Sequence, residues 1–187
     1  MALILASGSP RRRELLALIT PEYTVRPSTV DESAVTAPTP AQLARALAAA
    51  KAQDVAAACP GDVVLGSDTV VDCGGEVFGK PRDRDDALRM LRALSGRAHK
   101  VHTGLCVCAG GRTAATVETT TVHFAPIPEA ELQAYADTAE PYDKAGAYAI
   151  QGRAAVWCSG VEGCYYNIMG LPVHRTAQLL AAFGVRY

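Results

Sequence analysis

Hydroxyl and guanidinium groups cluster near the start of the chain, in the segment Ser7-Gly8-Ser9-Pro10-Arg11-Arg12. Apolar residues precede it and helically spaced leucines follow, which predicts a strand, a tight loop and a helix capped by Ser9. The N–H groups of a helix start, both serine hydroxyls and both guanidinium groups favour a phosphate. Because Arg11 and Arg12 oppose the helix dipole, the segment indicates an anionic ligand; an exposed basic turn is the alternative.

A single carboxylate interrupts an apolar stretch further along the chain. Asp68 stands between Ser67 and Thr69 in the stretch Val63–Val71, which is typical of one buried strand. Charged side chains are seldom buried without a partner, so Asp68 is expected to meet a metal ion, a lysine or a protein donor. The alternative is a structural aspartate that caps a backbone turn.

A lysine on the second predicted helix is a candidate for the same site. The segment Thr39-Pro40-Ala41-Gln42 matches a capping box and predicts where this helix begins. Lys51 falls at the edge of the predicted buried stripe, which comprises Leu43, Ala46, Leu47 and Ala50. From this position the ammonium group could reach a cleft. In the alternative interpretation it stays in water, and the methylene groups of the side chain cover apolar surface.

Three more polar groups are candidates for ligand contact. Lys80 lies between Gly79 and Pro81, which suits a rigid contact with an anion, although exposed lysines are common in turns. Glu32 belongs to an acidic pair that follows a proline-containing segment. The Gln151 side-chain amide can donate and accept hydrogen bonds at the same time, which suits the edge of uracil or thymine. The alternative is an amide that only forms hydrogen bonds within its own loop.

Composition and charge limit the class of protein. The chain has 187 residues, is 49% hydrophobic, and carries 18 Lys+Arg against 19 Asp+Glu for a net charge of −1. These values predict one globular domain over residues 1–187 and exclude disordered and fibrous classes. The near-equal numbers of basic and acidic residues differ from the excess of basic residues in proteins that bind a nucleic acid polymer or an anionic membrane. Any anion must therefore be bound by a local group of cations.

Signals for export, membrane insertion and zinc binding are also missing from the sequence. The apolar run Met1–Ala6 is too short for a signal peptide, and no stretch approaches the roughly 20 apolar residues of a spanning helix, so we expect a cytoplasmic protein. The six cysteines contain no C-x-x-C pair, which favours reduced thiols over disulfides or zinc ligands. The four histidines show no catalytic or zinc-type spacing.

Helical and strand patterns alternate without a change of composition. Strand patterns occur near residues 2–6, 63–71, 101–108 and 117–124, and helical patterns near residues 83–94, 128–136 and 172–183. Hairpin turns are predicted at the two Gly-Gly pairs, residues 74–75 and 110–111. This order predicts an α/β fold with a mixed sheet and no linker.

Several short motifs follow one another in an order that resembles one known family. They are Ala6–Arg12, Asp31-Glu32-Ser33, Gly66–Val71, Gly79-Lys80-Pro81, Leu94-Ser95-Gly96, Thr103-Gly104, Asp143–Gly152 and Gly170-Leu171-Pro172. Each is weak alone, but the ordered set spans nearly the whole chain. It resembles the Maf family of nucleoside triphosphate pyrophosphatases, and within it the branch that hydrolyses dTTP and UTP.

The resemblance implies a fold and a reaction. The implied fold is α/β, with an elongated mixed sheet flanked by helices and two lobes around a central cleft, as in the inosine triphosphate pyrophosphatases. The implied reaction splits the α–β phosphate bond of a nucleoside triphosphate and releases the monophosphate and pyrophosphate. A divalent cation, Mg²⁺ or Mn²⁺, is expected as cofactor, and such proteins are often cytoplasmic homodimers.

The resemblance also assigns roles to residues. The position of Asp68 is that of the proton acceptor, and the phosphate cleft is lined at the positions of Arg11, Arg12, Lys51, Lys80 and Glu32. The positions of Arg11, Thr69 and Gln151 separate the pyrimidine branch from a sister branch that acts on 7-methyl-GTP and has Glu in place of Gln151. Because a carboxylate is a weak base at neutral pH, Asp68 is expected to bind the metal with Glu32 and to orient the attacking water.

Other functions remain open on the sequence alone. A triphosphate brings about four negative charges, which four local cations match without making the whole protein basic. Modified pyrimidine triphosphates and 7-methyl-GTP would satisfy the same phosphate contacts. A nucleotide-binding regulator with little turnover is the third alternative, in line with the family's historical association with septum formation.

Overall fold

A mixed sheet of seven strands is the frame of the molecule in the computed structural model, which describes residues 1–186. The strands are β1 (Leu3–Leu5), β2 (Thr24–Val25), β3 (Val63–Cys73), β4 (Glu76–Phe78), β5 (Ala98–Ala109), β6 (Arg112–Phe124) and β7 (Cys158–Glu162). The α-helices are α1 (Pro10–Ala17), α2 (Pro40–Ala57), α3 (Arg84–Leu94), α4 (Glu129–Ala136), α5 (Tyr165–Met169) and α6 (Val173–Ala181). Short 3-10 helices occupy Glu32–Ala34, Glu140–Asp143, Ala145–Ala147 and Arg153–Trp157.

The sheet combines parallel and antiparallel pairs. Its strand order is β2-β1-β3-β5-β6-β7, and β4 pairs with the end of β3. β1 runs parallel to β2 and β3, whereas the other pairs are antiparallel. The β5–β6 hairpin turns at Gly110 and Gly111, whose φ angles of 55° and 75° favour glycine. The predicted α/β fold with a mixed sheet is confirmed.

Two helices begin where their capping residues predict. The Ser9 hydroxyl accepts a bond from the N–H of Arg12, and Pro10 is the first residue of α1. At the start of α2, the Thr39 hydroxyl accepts from the N–H of Gln42 at 3.2 Å. Each cap satisfies an N–H group that has no partner inside its helix.

Small residues let α2 lie directly on the sheet. Its buried residues are Ala44, Leu47, Ala48, Ala52 and Val55. The predicted stripe is buried at Leu47 and half-buried at Leu43, Ala46 and Ala50, so the buried face is centred about one residue further along the helix. A Cβ atom added at Gly66 would lie 2.3 Å from the carbonyl oxygen of Ala48, and one at Gly104 would lie 2.1 Å from that of Ala44. Glycines on β3 and β5 therefore admit the helix backbone, and alanines fill the contact.

Apolar residues form a core on each side of the sheet's midpoint. The proximal core joins β1, α1 and α6 and includes Leu3, Leu5, Leu15, Leu16, Leu65, Leu171 and Leu180. The distal core joins α3, α4 and the outer halves of β5 and β6 and includes Phe78, Leu91, Leu94, Phe124, Tyr135 and Trp157. These cores define two lobes, as expected from the resemblance, and a cleft opens between them.

The cysteines are free thiols in the structure. Cys106 and Cys108 lie on one face of β5 with their sulfur atoms 3.9 Å apart, and burial raises the pKa of Cys106 to about 12. The Cys106 thiol therefore stays protonated and unreactive at neutral pH, as predicted for a structural cysteine. Over residues 1–186, none of the helices combines the length and the apolar character needed to cross a membrane.

The contact between α2 and β5 leads to a stability prediction. Gly104→Ala places a methyl group against the Ala44 carbonyl, and we expect the free energy of unfolding to fall by about 3 kcal/mol, measured by urea denaturation. Gly61→Ala is the control, because a Cβ atom there meets nothing within 4 Å. Equal stabilities of the two variants would contradict the close packing of α2.

Candidate active site

A polar cleft of about 810 Å³ lies between the two lobes. Its walls come from the loop before α1, from α2, from the middle of β3, from residues 143–151 and from the end of α5. Every residue that the sequence singled out as a site candidate lines this cleft: Ser7, Ser9, Arg11, Arg12, Glu32, Lys51, Asp68, Thr69, Lys80 and Gln151. Segments more than a hundred residues apart therefore meet in one place.

Lys51 joins two carboxylates at the centre of the cleft. Its Nζ lies 2.6 Å from Oδ1 of Asp68 on β3 and 2.7 Å from Oε1 of Glu32. The side chains of Lys51 and Asp68 are only 13% and 10% exposed, whereas that of Glu32 is 58% exposed. Of the partners left open for Asp68, the structure shows the lysine. The other oxygen, Oδ2, has no hydrogen-bond partner within residues 1–186.

The loop that presents Glu32 is anchored by an aspartate that sequence reasoning missed. Oδ2 of Asp54 on α2 accepts bonds from the Ser28 hydroxyl at 2.7 Å and from the Thr29 N–H at 2.8 Å. The Ser28 hydroxyl and the Thr29 N–H hold the pKa of Asp54 below its usual range. An aspartate one helical turn beyond Lys51 was the available signal, because side chains at i and i+3 share a helix face.

Arg12 is fixed inside the cleft by three hydrogen bonds. Its Nε donates to the Gly170 carbonyl at 2.9 Å, Nη1 to the Ser7 hydroxyl at 3.2 Å, and Nη2 to the Thr69 hydroxyl at 3.1 Å. Burial lowers the pKa of Arg12, and the negative charge of Asp68 opposes that effect. Arg12 is therefore a preorganised positive group rather than a mobile surface arginine.

The hydroxyl groups near Arg12 serve the arginine and the loop. The Ser7 hydroxyl also accepts from the N–H of Ser9 at 3.3 Å, and the Thr69 hydroxyl lies 2.9 Å from that of Thr103. Ser7 and Thr69 thus hold Arg12 in place, and Ser9 caps the helix that carries it. Their predicted place in the cleft agrees with the structure, whereas direct contact with a ligand stays a prediction.

Two charged residues on the opposite wall were not among the predicted site residues. Asp143 accepts from Nη1 of Arg11 at 3.4 Å, across the cleft, and from Nζ of Lys144 at 2.5 Å. Lys144 also donates to the Glu140 carbonyl at 2.9 Å. Burial of Asp143 disfavours its charge, but Lys144 and Arg11 outweigh burial and keep its pKa lowered. Both residues open the Asp143–Gly152 motif, which was the signal for them.

Tyr148 is a further wall residue that sequence reasoning did not select. Its hydroxyl lies 2.8 Å from Nε2 of His99, and both rings make edge-to-face contacts with Phe124. Burial lowers the pKa of His99 to about 4, so the imidazole is neutral at pH 7. The prediction that the histidines are structural fits His99, which orients a cleft residue from within the distal core.

Two of the predicted residues keep their functional groups available. Lys80 and Gln151 are exposed at the cleft, and neither side chain bonds to another group within residues 1–186. The ammonium group of Lys80 and the amide group of Gln151 are therefore available for contact with a ligand. Residues 1–186 contain no group of three His, Cys, Asp or Glu side chains that could hold a metal ion by themselves. The candidate metal ligands in the cleft are the two carboxylates that contact Lys51, those of Asp68 and Glu32.

The fold and the site define an α/β protein with a cation-lined cleft between two lobes. A family profile described as Maf-like protein matches residues 2–183, and the chain belongs to the Maf family. It is 50% identical over 182 residues to the dTTP/UTP pyrophosphatase of Symbiobacterium thermophilum, across 97% of this chain and 94% of that one. It is 49% identical over 185 residues to the dTTP/UTP pyrophosphatase of Moorella thermoacetica, across 98% and 95%.

Solved structures with the same fold include two distant ones. The Ham1 protein of Staphylococcus aureus aligns with a TM-score of 0.57 and 14% identity, over 97% of this chain and 98% of that one. The HAM1 protein of Coxiella burnetii aligns with a TM-score of 0.53 and 14% identity, over 96% and 98%. At this identity the likeness shows the fold alone, and it supports the two-lobed architecture expected from the sequence.

The bonds of Arg12 lead to a second stability prediction. Arg12→Lys removes the planar group that donates to Gly170, Ser7 and Thr69, and we expect the free energy of unfolding to fall by about 2 kcal/mol in urea titrations. Arg13→Lys is the matched control, because the Arg13 side chain is exposed and bonds to nothing within residues 1–186. A loss no larger than that of the control would mean that Arg12 is not fixed as described.

Proposed function

We propose that this protein is a nucleoside triphosphate pyrophosphatase that hydrolyses dTTP and UTP, and modified pyrimidine triphosphates, at the α–β phosphate bond. The products are the nucleoside monophosphate and pyrophosphate. Support comes from the cleft and from relatives at 49% and 50% identity that are dTTP/UTP pyrophosphatases over nearly their whole length. The observation that carries the proposal is the buried Asp68 carboxylate, facing cations from distant parts of the chain.

The charge of the cleft matches a triphosphate. Its cationic side chains belong to Arg11, Arg12, Lys51, Lys80 and Lys144. Three carboxylates, those of Asp68, Glu32 and Asp143, line the same cleft, so its lining carries a net charge of +2 while the whole chain stays at −1. A bound triphosphate carries about four negative charges, which this excess and a divalent cation together would match. Positive groups held in place before substrate arrives stabilise the charge that develops on a leaving pyrophosphate.

Asp68 is the candidate that acts on water. Lys51 engages its Oδ1, so Oδ2 is the atom left to accept a proton from a water molecule and to aim that water at the α-phosphorus. Lys51 holds the carboxylate in place at a point where both side chains are nearly buried. The residue thus orients the nucleophile, while the surrounding cations supply most of the electrostatic stabilisation.

The residues present fit a divalent cation that arrives with its substrate. Asp68 and Glu32 would hold it, because Mg²⁺ prefers oxygen ligands and is commonly bound by one or two carboxylates together with substrate phosphates. When bound, such a cation supplies charge neutralisation on the phosphates and activates water. Both carboxylates already lie within 2.7 Å of Lys51 Nζ, which keeps them together in the same part of the cleft.

Gln151 is the candidate reader of the base. Its side-chain amide is exposed at the cleft and carries one acceptor and two donors. Uracil and thymine present an N3–H between two carbonyl oxygens, which an amide matches through paired hydrogen bonds. A glutamate at this position would present acceptors only, which supports the pyrimidine branch over the 7-methyl-GTP branch.

A nucleotide panel tests the reaction and its cofactor. With Mg²⁺, we expect UTP and dTTP to be converted fastest, into equal amounts of monophosphate and pyrophosphate, compared with CTP, GTP and 7-methyl-GTP by anion-exchange chromatography. A chelator should abolish turnover and added Mg²⁺ should restore it, because phosphate charge would otherwise stay uncompensated. Release of orthophosphate would contradict the proposed bond, and turnover in the chelator would contradict the cation.

Substitution of Asp68 separates an enzyme from a regulator that binds nucleotides. Asp68→Asn keeps the shape of the side chain but removes the proton acceptor, so we expect kcat to fall about a thousandfold while the Kd for a triphosphate, measured without metal, does not rise. Asp62→Asn is the control, because Asp62 accepts from the Ala2 N–H at 2.8 Å and does not line the cleft. Wild-type protein that binds without metal-dependent turnover would favour the regulator.

A further inference from the structure

The backbone around Gln151 is held on both sides by one chain of hydrogen bonds. The N–H of Ala149 donates to the phenol oxygen of Tyr135 at 3.2 Å, and the Tyr135 hydroxyl donates to Oε1 of Glu140 at 2.8 Å. The N–H of Arg153 donates to the same carboxylate, at 3.0 Å from Oε1 and 3.3 Å from Oε2. The two anchored N–H groups lie two residues before and two residues after Gln151.

The phenol in this chain is rigid. Tyr135 on α4 is 2% exposed, and its ring packs edge-to-face on Trp157 with centroids 4.8 Å apart. Nε1 of Trp157 in turn donates to Glu131 at 2.9 Å, one turn earlier on the same helix. Burial, and then the neighbouring Glu140 carboxylate, raise the pKa of Tyr135 well above its usual range, so the phenol remains a donor at any working pH.

Glycine at position 152 makes room for the Glu140 carboxylate. A Cβ atom there would lie 2.1 Å from Oε1 of Glu140, so any other residue would displace the carboxylate from this position. The N–H of Gly152 donates to the Ala149 carbonyl at 3.0 Å, which closes a tight turn around Gln151. The carboxylate therefore fits against the turn only because this residue has no side chain.

Gln151 itself differs from its neighbours. Ala149 and Ile150 are buried, whereas the Gln151 side chain is exposed at the cleft and bonds to nothing within residues 1–186. Because the backbone of the turn is already fixed, only the Gln151 side chain has to be ordered when a ligand binds, and a fixed backbone lowers the cost of binding.

We propose that Tyr135 and Glu140 are positioning residues for nucleotide selectivity: they clamp the Ala149–Arg153 turn so that Gln151 meets the base at one depth in the cleft. Neither residue touches the ligand, and neither lines the cleft. The inference rests on the proposed function, because it assumes that Gln151 reads the base. Loosening the clamp lets the turn retreat, which weakens contact with a pyrimidine and admits a larger purine.

The same segment links the base end of the cleft to its phosphate end. The backbone carbonyl of Glu140 accepts a bond from Lys144 Nζ at 2.9 Å, and Lys144 lines the cleft. Glu140 thus holds the turn with its side chain and a cleft lysine with its backbone. Only the side-chain contact is removed by a substitution, so a variant at Glu140 leaves the Lys144 bond to the peptide in place.

The test compares the ratio of kcat/KM for UTP to kcat/KM for GTP among variants. Tyr135→Phe and Glu140→Ala each break the chain of bonds, and we expect the ratio to fall roughly tenfold. Glu140→Gln should keep most of the selectivity, because its single amide oxygen can accept from both Tyr135 and Arg153, which share Oε1 in the structure. Gln151→Ala supplies the reference ratio for a protein without a side-chain amide at this position.

Two controls separate positioning from a general loss of structure. Tyr142→Phe removes a phenol bond of 2.6 Å to the Ala136 carbonyl, at the end of the same helix but away from the turn, and should leave the ratio unchanged. In the Gln151→Ala background, Tyr135→Phe should change the ratio no further, since coupled residues give non-additive effects. Thermal unfolding identifies any variant that fails to fold. If Glu140→Ala fails to fold, the ratio measured for Tyr135→Phe decides the test.

The outcomes distinguish the inference from the function on which it rests. A wild-type protein without pyrimidine preference would overturn the proposed function, and this inference with it. A wild-type preference that persists in Tyr135→Phe and Glu140→Ala would overturn the inference alone. Equal losses for UTP and GTP would also overturn it, because they would show that both residues support stability and not selectivity.

Discussion

The ammonium group of Lys51, held between the carboxylates of Asp68 and Glu32, is the interaction on which the cleft depends. A carboxylate inside an apolar strand is costly unless an opposite charge meets it. Lys51 reaches Asp68 because α2 lies directly on the sheet. The helix can lie so close because Gly66 and Gly104, on the strands beneath it, carry no side chains. A packing detail of the sheet therefore decides where the charged centre forms.

The positive charges of the cleft are arranged in two ways. Arg12 is committed to three protein acceptors and behaves as a fixed part of the wall. Lys80 is exposed and unbonded within residues 1–186, while Arg11 reaches across the cleft to Asp143. Fixed charge gives a ready electrostatic field, and available charge gives contacts that a ligand completes, which together suit a polyphosphate better than a small anion.

The two ends of the cleft use the same strategy with different groups. Near Arg12, two hydroxyl groups and a carbonyl orient the guanidinium group. Near Gln151, the phenol of Tyr135 and the carboxylate of Glu140 hold a turn, and the Gln151 amide has no hydrogen-bond partner within residues 1–186. In both places, hydrogen bonds within the protein fix a part of the cleft wall: the guanidinium group of Arg12 in one, the backbone around Gln151 in the other.

Local features and the ordered motifs were readable from the sequence by itself. Ser9 and Pro10 predicted the start of α1, Asp68 stood out as a charge in an apolar strand, and the motif order indicated the family. Only the tertiary structure decided that Lys51 partners Asp68, and that Tyr135 supports a turn more than ten residues away. Capping and strand patterns depend on neighbours in the chain, whereas these contacts depend on which surfaces the folded backbone brings together.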